Sequence, residues 1–377
     1  MKYLPALCAC LFLFLSLPAI AQPIPKPPST SGESYILMEA ETGKVLAAKN
    51  ADKRLPPASL TKIMTGYAVY RALDDGSITL DDEVEVSEAA WRMGGSQMFL
   101  EVGDKVTVDK LLDGLVVQSG NDAALALAEY VGGSESAFVE QMNFYADELG
   151  LENTRFENPE GLNRETHYSS ARDMAELSRV MIRQFPERYE RYAKREFTYN
   201  DIRQYNRNDL LYATDYVDGI KTGYTSESGY CLAASGERDG TRLISVVMGE
   251  PSADARESSS RALLSWGHRF YESHRLYAAG ETLKEARIWK GAADQVRLGL
   301  SEDLHVTIPK GKYDALEASM TFPGQLVAPA DEGEELGQVT VKLDGEVVAE
   351  APLVALSGVA AGSFFQRMTD AVLQWFE

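Results

Sequence analysis

Three short segments in a set order constrain this chain more than any other feature: Ser59-Leu60-Thr61-Lys62, Ser119-Gly120-Asn121 and Lys221-Thr222-Gly223. The first places a lysine three residues after a serine, so on a helix the two side chains share one face. A hydroxyl is a weak nucleophile until a base takes its proton. Lysine can be that base when burial and a nearby cation, such as Lys221, lower its pKa. Pro56-Pro57-Ala58 cannot continue a helix backwards, so a helix is expected to start at about Ser59, with the hydroxyl near the positive end of its dipole. Ser-x-x-Lys alone is also ordinary helix-capping chemistry. Here it occurs once, as does Lys-Thr-Gly.

The second segment falls between two expected helical runs. The Asn121 amide can orient a substrate amide and hold Lys62, and Ser119 can pass a proton to a leaving amine. Asn121, ahead of Asp122 and an apolar run, also suits a helix N-cap. The third segment reads as the edge of a strand. Gly223 lets a substrate lie against the backbone, Lys221 and Thr222 can bind a terminal carboxylate, and the backbone N–H groups of Ser59 and Tyr224 can form an oxyanion hole.

The N-terminus reads as a secretory signal: Met1-Lys2, the apolar run Leu11 to Leu17, and the small-x-small site Ala19-Ile20-Ala21. Cys8 and Cys10 would leave with it. Cys231 would then have no intramolecular partner, and within Tyr230-Cys231-Leu232-Ala233-Ala234 it is expected to be a buried strand residue. The 37 basic residues against 57 acidic ones argue against nucleic acid and against electrostatic docking on anionic lipid. None of the four histidines has HExxH-type spacing, and neither a metal nor another cofactor is expected; the lack of a Gly-x-Ser-x-Gly elbow weakens a Ser-His-Asp hydrolase.

Five stretches follow. Residues 1–21 are the signal and 22–34 a Pro/Ser-rich tether. Residues 35–277 are expected to form an α/β (α+β) domain with a largely antiparallel sheet and a helical cluster. Its strands are expected at Tyr35 to Met38, Val45 to Ala48, Val217 to Tyr224, Tyr230 to Ser235 and Leu243 to Met248, with a final helix over Ala253 to His274. Residues 278–356 alternate in short, turn-separated runs and read as a small all-β domain. Residues 357–377 read as an amphipathic helix whose apolar stripe is Phe364, Phe365, Met368, Val372, Trp375 and Phe376, suited to lying in a membrane interface or to docking on its own domain.

The chain resembles the low-molecular-mass penicillin-binding proteins, the periplasmic serine-type D-alanyl-D-alanine carboxypeptidases. The likeness is carried by Pro57 to Lys62, Gln118 to Ala123 and Val217 to Gly223. The connecting stretches Gln97 to Leu100, His167 to Met174 and Asn206-Arg207-Asn208 carry it further. The resemblance implies Ser59 as acylated nucleophile, Lys62 as general base, Ser119 and Asn121 as the second catalytic element, and Lys221, Thr222, Gly223 and Tyr224 with Arg207 as the substrate-binding set. Its implied partners are the peptidoglycan stem pentapeptide, β-lactam antibiotics and the outer face of the inner membrane. The family often has His where this chain has Tyr224, and the tail here is less basic than usual. Two other readings are a serine β-lactamase and a non-catalytic peptidoglycan-binding homologue. For the first, Asn158-Pro159-Glu160-Gly161-Leu162-Asn163 puts its carboxylate three residues before Asn rather than four. Against the second, all three reactive segments are intact. A related endopeptidase would be expected to lack the β domain and tail.

Overall fold

A computed structural model describes residues 24–375; the expected signal, the first tether residues and Phe376 lie outside them. Five strands form one antiparallel sheet: β1 (Ser34–Glu39), β2 (Val45–Lys49), β3 (Val217–Thr225), β4 (Gly229–Arg238) and β5 (Thr241–Glu250), in the order β2-β1-β5-β4-β3. Both faces are covered over the central strands β1, β4 and β5, which is why their middles are apolar. Successive side chains point to opposite faces. Ile36, Met38, Ile244, Val246 and Met248 enter the core shared with the helical cluster. Tyr35, Leu37, Leu243 and Val247 enter a second core on the other face. Cys231 is buried, and burial pushes its thiol up to about 11, as suits an inert packing residue.

The helical cluster comprises α1 (Thr61–Asp74), α2 (Asn121–Gly132), α3 (Glu135–Glu148) and α4 (Ala171–Gln184). The chain enters α2 through a π-helical stretch, Gly114–Gln118, that ends on Ser119 in the left-handed region at φ 63°. The opposite face of the sheet is packed by α5 (Ala253–Phe270) through Leu263, Leu264 and Trp266. Trp266 Nε1 also donates to the Pro25 carbonyl, which lays the described part of the Pro-rich segment on this helix.

The expected helix to His274 stops at Phe270. Residues Tyr271–Tyr277 are a strand, β6, because they pair with Leu304–Pro309 farther along the chain. No Gly or Pro marks the change, so local pattern could not place it. Beyond β6, six strands form a second sheet around Val296, Leu298, Val339, Val341 and Leu353. The Leu304–Pro309 strand that pairs with β6 meets the five-stranded sheet through Thr307. Its hydroxyl donates to Glu39 Oε2 (3.0 Å) and lies 2.7 Å from the Thr42 hydroxyl, and its carbonyl accepts from Lys44 Nζ (2.8 Å). The expected architecture is therefore observed: an α/β unit with an antiparallel sheet, a small all-β unit and a C-terminal helix, α6 (Phe364–Leu373).

Candidate active site

Ser59 sits on a single 3-10 turn, Ala58–Leu60, that leads directly into α1. Lys62 lies one turn on and is 1 % exposed. Its Nζ is 3.1 Å from Ser59 Oγ, 2.7 Å from Asn121 Oδ1 and 2.6 Å from the Glu160 carbonyl oxygen. Burial lowers the Lys62 pKa to about 7, against the opposing pull of Glu160 and Asp122. An amine so placed is neutral in a large fraction of molecules near neutrality.

Asn121 is the first residue of α2, and the cap is Gly120, without a side-chain bond. Its side chain is spent on the site: Oδ1 accepts from Lys62, and Nδ2 donates to the Gly94 carbonyl (2.6 Å). Ser119, two residues earlier, is buried. Asp122 anchors the corner. Its carboxylate accepts from the backbone N–H groups of Met98, Phe99, Leu100 and Ala123.

The third segment lies on β3, the edge strand next to the Ser59 turn. A β-carbon on Gly223 would meet the Pro57 carbonyl at 3.0 Å and Ser59 N at 3.2 Å, so glycine permits this approach. Lys221 is buried, and its Nζ donates to the Thr222 carbonyl at 3.2 Å. Burial, then Lys62, Arg207 and Arg256, hold its pKa well below the ordinary lysine value. Such a cluster of cations is a site for an anion. Arg207 is exposed, but its neighbours Asn206 and Asn208 are buried and bonded to the Lys194 and Gly219 carbonyls. Thr222 is buried; the Tyr224 ring is half exposed and lies against Tyr230, centroids 4.3 Å apart.

The structure thus brings Ser59, Lys62 and Asn121 into one bonded cluster, with Ser119 beside it and Lys221 to Tyr224 across the Ser59 turn. Three contributors escaped sequence reasoning. Arg256, on α5, donates to the Gly223 carbonyl (3.4 Å), and nothing in its local sequence marks it. His167 is locked neutral: Nδ1 accepts from Glu157 N–H, leaving Nε2 to donate to Thr61 Oγ1, and burial lowers its pKa to about 4. Glu160 reaches Lys62 through its backbone carbonyl, not its carboxylate.

Residues 21–252 match the D-alanyl-D-alanine carboxypeptidase family, and residues 271–361 match the penicillin-binding protein 5 C-terminal domain. The chain is 43 % identical to the D-alanyl-D-alanine carboxypeptidase DacC of Escherichia coli over 388 aligned residues, covering 100 % of this chain and 97 % of that protein. It is 42 % identical to DacA of the same organism, covering 94 % and 90 %. Among solved structures, penicillin binding protein 5 from Haemophilus influenzae superposes with a TM-score of 0.85 at 43 % identity, over 89 % of this chain and 99 % of that one. Penicillin binding protein 6B from Escherichia coli superposes at 0.74 and 39 %, over 88 % and 98 %.

Proposed function

This chain belongs to the D-alanyl-D-alanine carboxypeptidase family, and from that premise we propose which of its residues carry the reaction, where they act and how the chain is divided. The protein is a penicillin-binding serine carboxypeptidase of the cell wall, a hydrolase that removes the terminal D-Ala from peptidoglycan stems. The observation that carries the residue assignment is the hydrogen bonding of Lys62. A neutral amine has two N–H donors and one lone pair. Asn121 Oδ1 and the Glu160 carbonyl take the two donors, which leaves the lone pair for the Ser59 hydroxyl at 3.1 Å.

Ser59 Oγ attacks the carbonyl of the penultimate D-Ala while Lys62 takes its proton. The backbone N–H groups of Ser59 and Tyr224 receive the developing oxyanion. The terminal carboxylate lies against Lys221, Thr222 and Arg207, with the substrate backbone along Gly223. Ser119 relays a proton to the departing D-Ala amine. Water then cleaves the Ser59 ester, and Ser59 recovers its proton. β-Lactams enter by the same route, their carboxylate on Lys221 and their ring carbonyl on Ser59.

A signal over 1–21 and a tether over 22–34 precede the catalytic unit; the expected boundary at 277/278 is better drawn near 270/271, because Tyr271–Tyr277 pairs with Leu304–Pro309, and the all-β unit then runs to about 356. The enzyme works in the periplasm, and the 357–377 tail rests on the outer face of the inner membrane. Supporting the last point, α6 buries none of its residues; Phe364, Phe365, Met368, Val372 and Trp375 are all exposed, up to 92 % for Trp375. Among the described residues no helix is long and apolar enough to cross a membrane.

Intact-mass measurement after mixing with penicillin tests the assignment of Ser59. One penicilloyl adduct per chain is expected for the wild type and none for Ser59→Ala. An adduct that persists in Ser59→Ala overturns it.

A further inference from the structure

Outside the residues assigned above, the least explained group near the site is the Glu160 side chain. It is 3 % exposed, and its Oε2 is buried with no hydrogen-bond partner. An unsatisfied buried carboxyl is costly. Its backbone is meanwhile held tightly. The Glu160 carbonyl accepts from Lys62, and the Pro159 carbonyl accepts from Thr65 Oγ1 at 2.6 Å. Asn158 closes the turn through Gly161 N–H (2.7 Å) and the Leu162 carbonyl (2.8 Å). Gly161, at φ 90°, runs so close to Ala58 that a β-carbon would fall 1.9 Å from the Ala58 carbonyl. The Glu160 backbone is therefore tied to both Lys62 and the Ser59 turn.

We propose that Glu160 is a positioning residue for Lys62: its carboxyl, buried on the residue whose carbonyl holds that amine, sets the pH at which Lys62 can take the Ser59 proton. The inference rests on the reading of Ser59 and Lys62 given above. The charges facing Lys62 are Glu160, Asp122 and Lys221, and those facing Glu160 are Lys62, Glu135 and Arg164. Asp122 is already engaged by four backbone N–H groups. Among the described residues no ion pair within 4.0 Å joins Glu160 to Lys62 or to Arg164, so the carboxyl acts on the amine through space rather than through a direct bond. Burial raises the Glu160 pKa while it lowers that of Lys62, which draws the two groups towards the same range. Two such groups titrate as a pair. A carboxylate favours the ammonium form of Lys62, so beside ionised Glu160 the amine frees its lone pair at a higher pH than it would beside a neutral group.

The test is the second-order rate of penicillin acylation against pH, read by intact mass, for the wild type, Glu160→Gln, Glu160→Ala and Glu160→Asp. In the wild type the rate is expected to fall as pH drops through about 7. Gln and Ala remove the charge but keep the carbonyl, so their acidic limb moves down by roughly one pH unit. One unit below the wild-type midpoint, they retain about fivefold more of their plateau rate than the wild type does. Asp, which keeps the charge, returns the limb towards the wild-type position. Should Gln fail to fold, Ala carries the same expectation. A limb that stays in place with a uniformly altered rate, or that moves up, overturns the proposal. If the wild type itself forms no adduct, the functional reading fails instead, so the two failures are distinct.

Discussion

Lys62 Nζ lies 2.7 Å from Asn121 Oδ1, and this bond joins two segments 59 residues apart. Asn121 is itself fixed by its donation to the Gly94 carbonyl. Lys62, the proposed base, is therefore oriented by the N-terminus of α2 and by the Glu160 carbonyl together, while Ser59 rides on the same helix start. Aligning the base before substrate arrives reduces the entropy that the reaction must lose.

Acylation by penicillin should depend on neutral Lys62. Because burial lowers its pKa to about 7, the active form is present above that pH and is lost as pH falls through it. Lys62→Arg keeps the charge but cannot give up its proton, so its acylation rate is expected to fall by at least about a thousandfold at every pH. A near-normal rate for Lys62→Arg in the same mass assay would mean the base lies elsewhere.

The alkaline limb should belong to Lys221. Its pKa is depressed by burial and by neighbouring cations, so it loses its charge well below the ordinary lysine range. Binding of a substrate carboxylate falls with that charge. A peptide ending in D-Ala-D-Ala should show this limb in kcat/KM, whereas its C-terminal amide should be turned over poorly throughout, at a cost of about 1.5–3 kcal/mol per lost charged hydrogen bond. Release of D-Ala from acid and amide at equal rates would exclude the carboxylate site.

Gly223→Ala should damage activity more than stability. The added methyl would press on the Pro57 carbonyl at 3.0 Å and on Ser59 N at 3.2 Å, displacing the turn that holds the hydroxyl and its oxyanion N–H. A shift of a few tenths of an ångström is expected to slow acylation on the order of tenfold to a hundredfold. Thermal melting should move little. Wild-type acylation kinetics in this variant would refute the close approach.

Asp122→Asn should destabilise the fold. Four backbone N–H groups point at the carboxylate, and an amide offers them one oxygen and a competing donor. A loss of about 3 kcal/mol is expected, read from thermal or urea melts. A change under about 0.5 kcal/mol would show that the 98–100 backbone finds other partners.

The tail should bind vesicles by apolar contact. Each large side chain of α6 that enters the interface contributes up to roughly 1.5–3 kcal/mol if fully buried. Arg367 is its single cation among the described residues, so high salt should leave binding intact. Co-sedimentation of the signal-free protein is compared with that of a chain ending at Ser357. Equal binding of the two, or salt-stripping of the longer one, would refute the anchor.

The three motifs, the alternating strands and the amphipathic tail were legible because each is a local pattern: a spacing of three, a period of two, a stripe at helical intervals. The pairing of Ser59 with Lys62 followed from helix geometry alone, and the edge position of Lys221 to Gly223 from a strand signal beside a glycine. The partners that complete the site had no such signature. The Glu160 carbonyl is backbone, and every residue has one, so no residue type could announce that this one would meet Lys62 from 98 positions away. Arg256 reaches Gly223 only because α5 packs on β4 and β5. Residues 271–277 became strand rather than helix because Leu304–Pro309 was there to pair with them. Local propensity is worth tenths of a kcal/mol per residue, and a ladder of hydrogen bonds with buried side chains outweighs it. Sequence by itself therefore determined the reactive groups and their elements; chain packing decided which backbone oxygen, distant arginine and buried carboxyl would surround them.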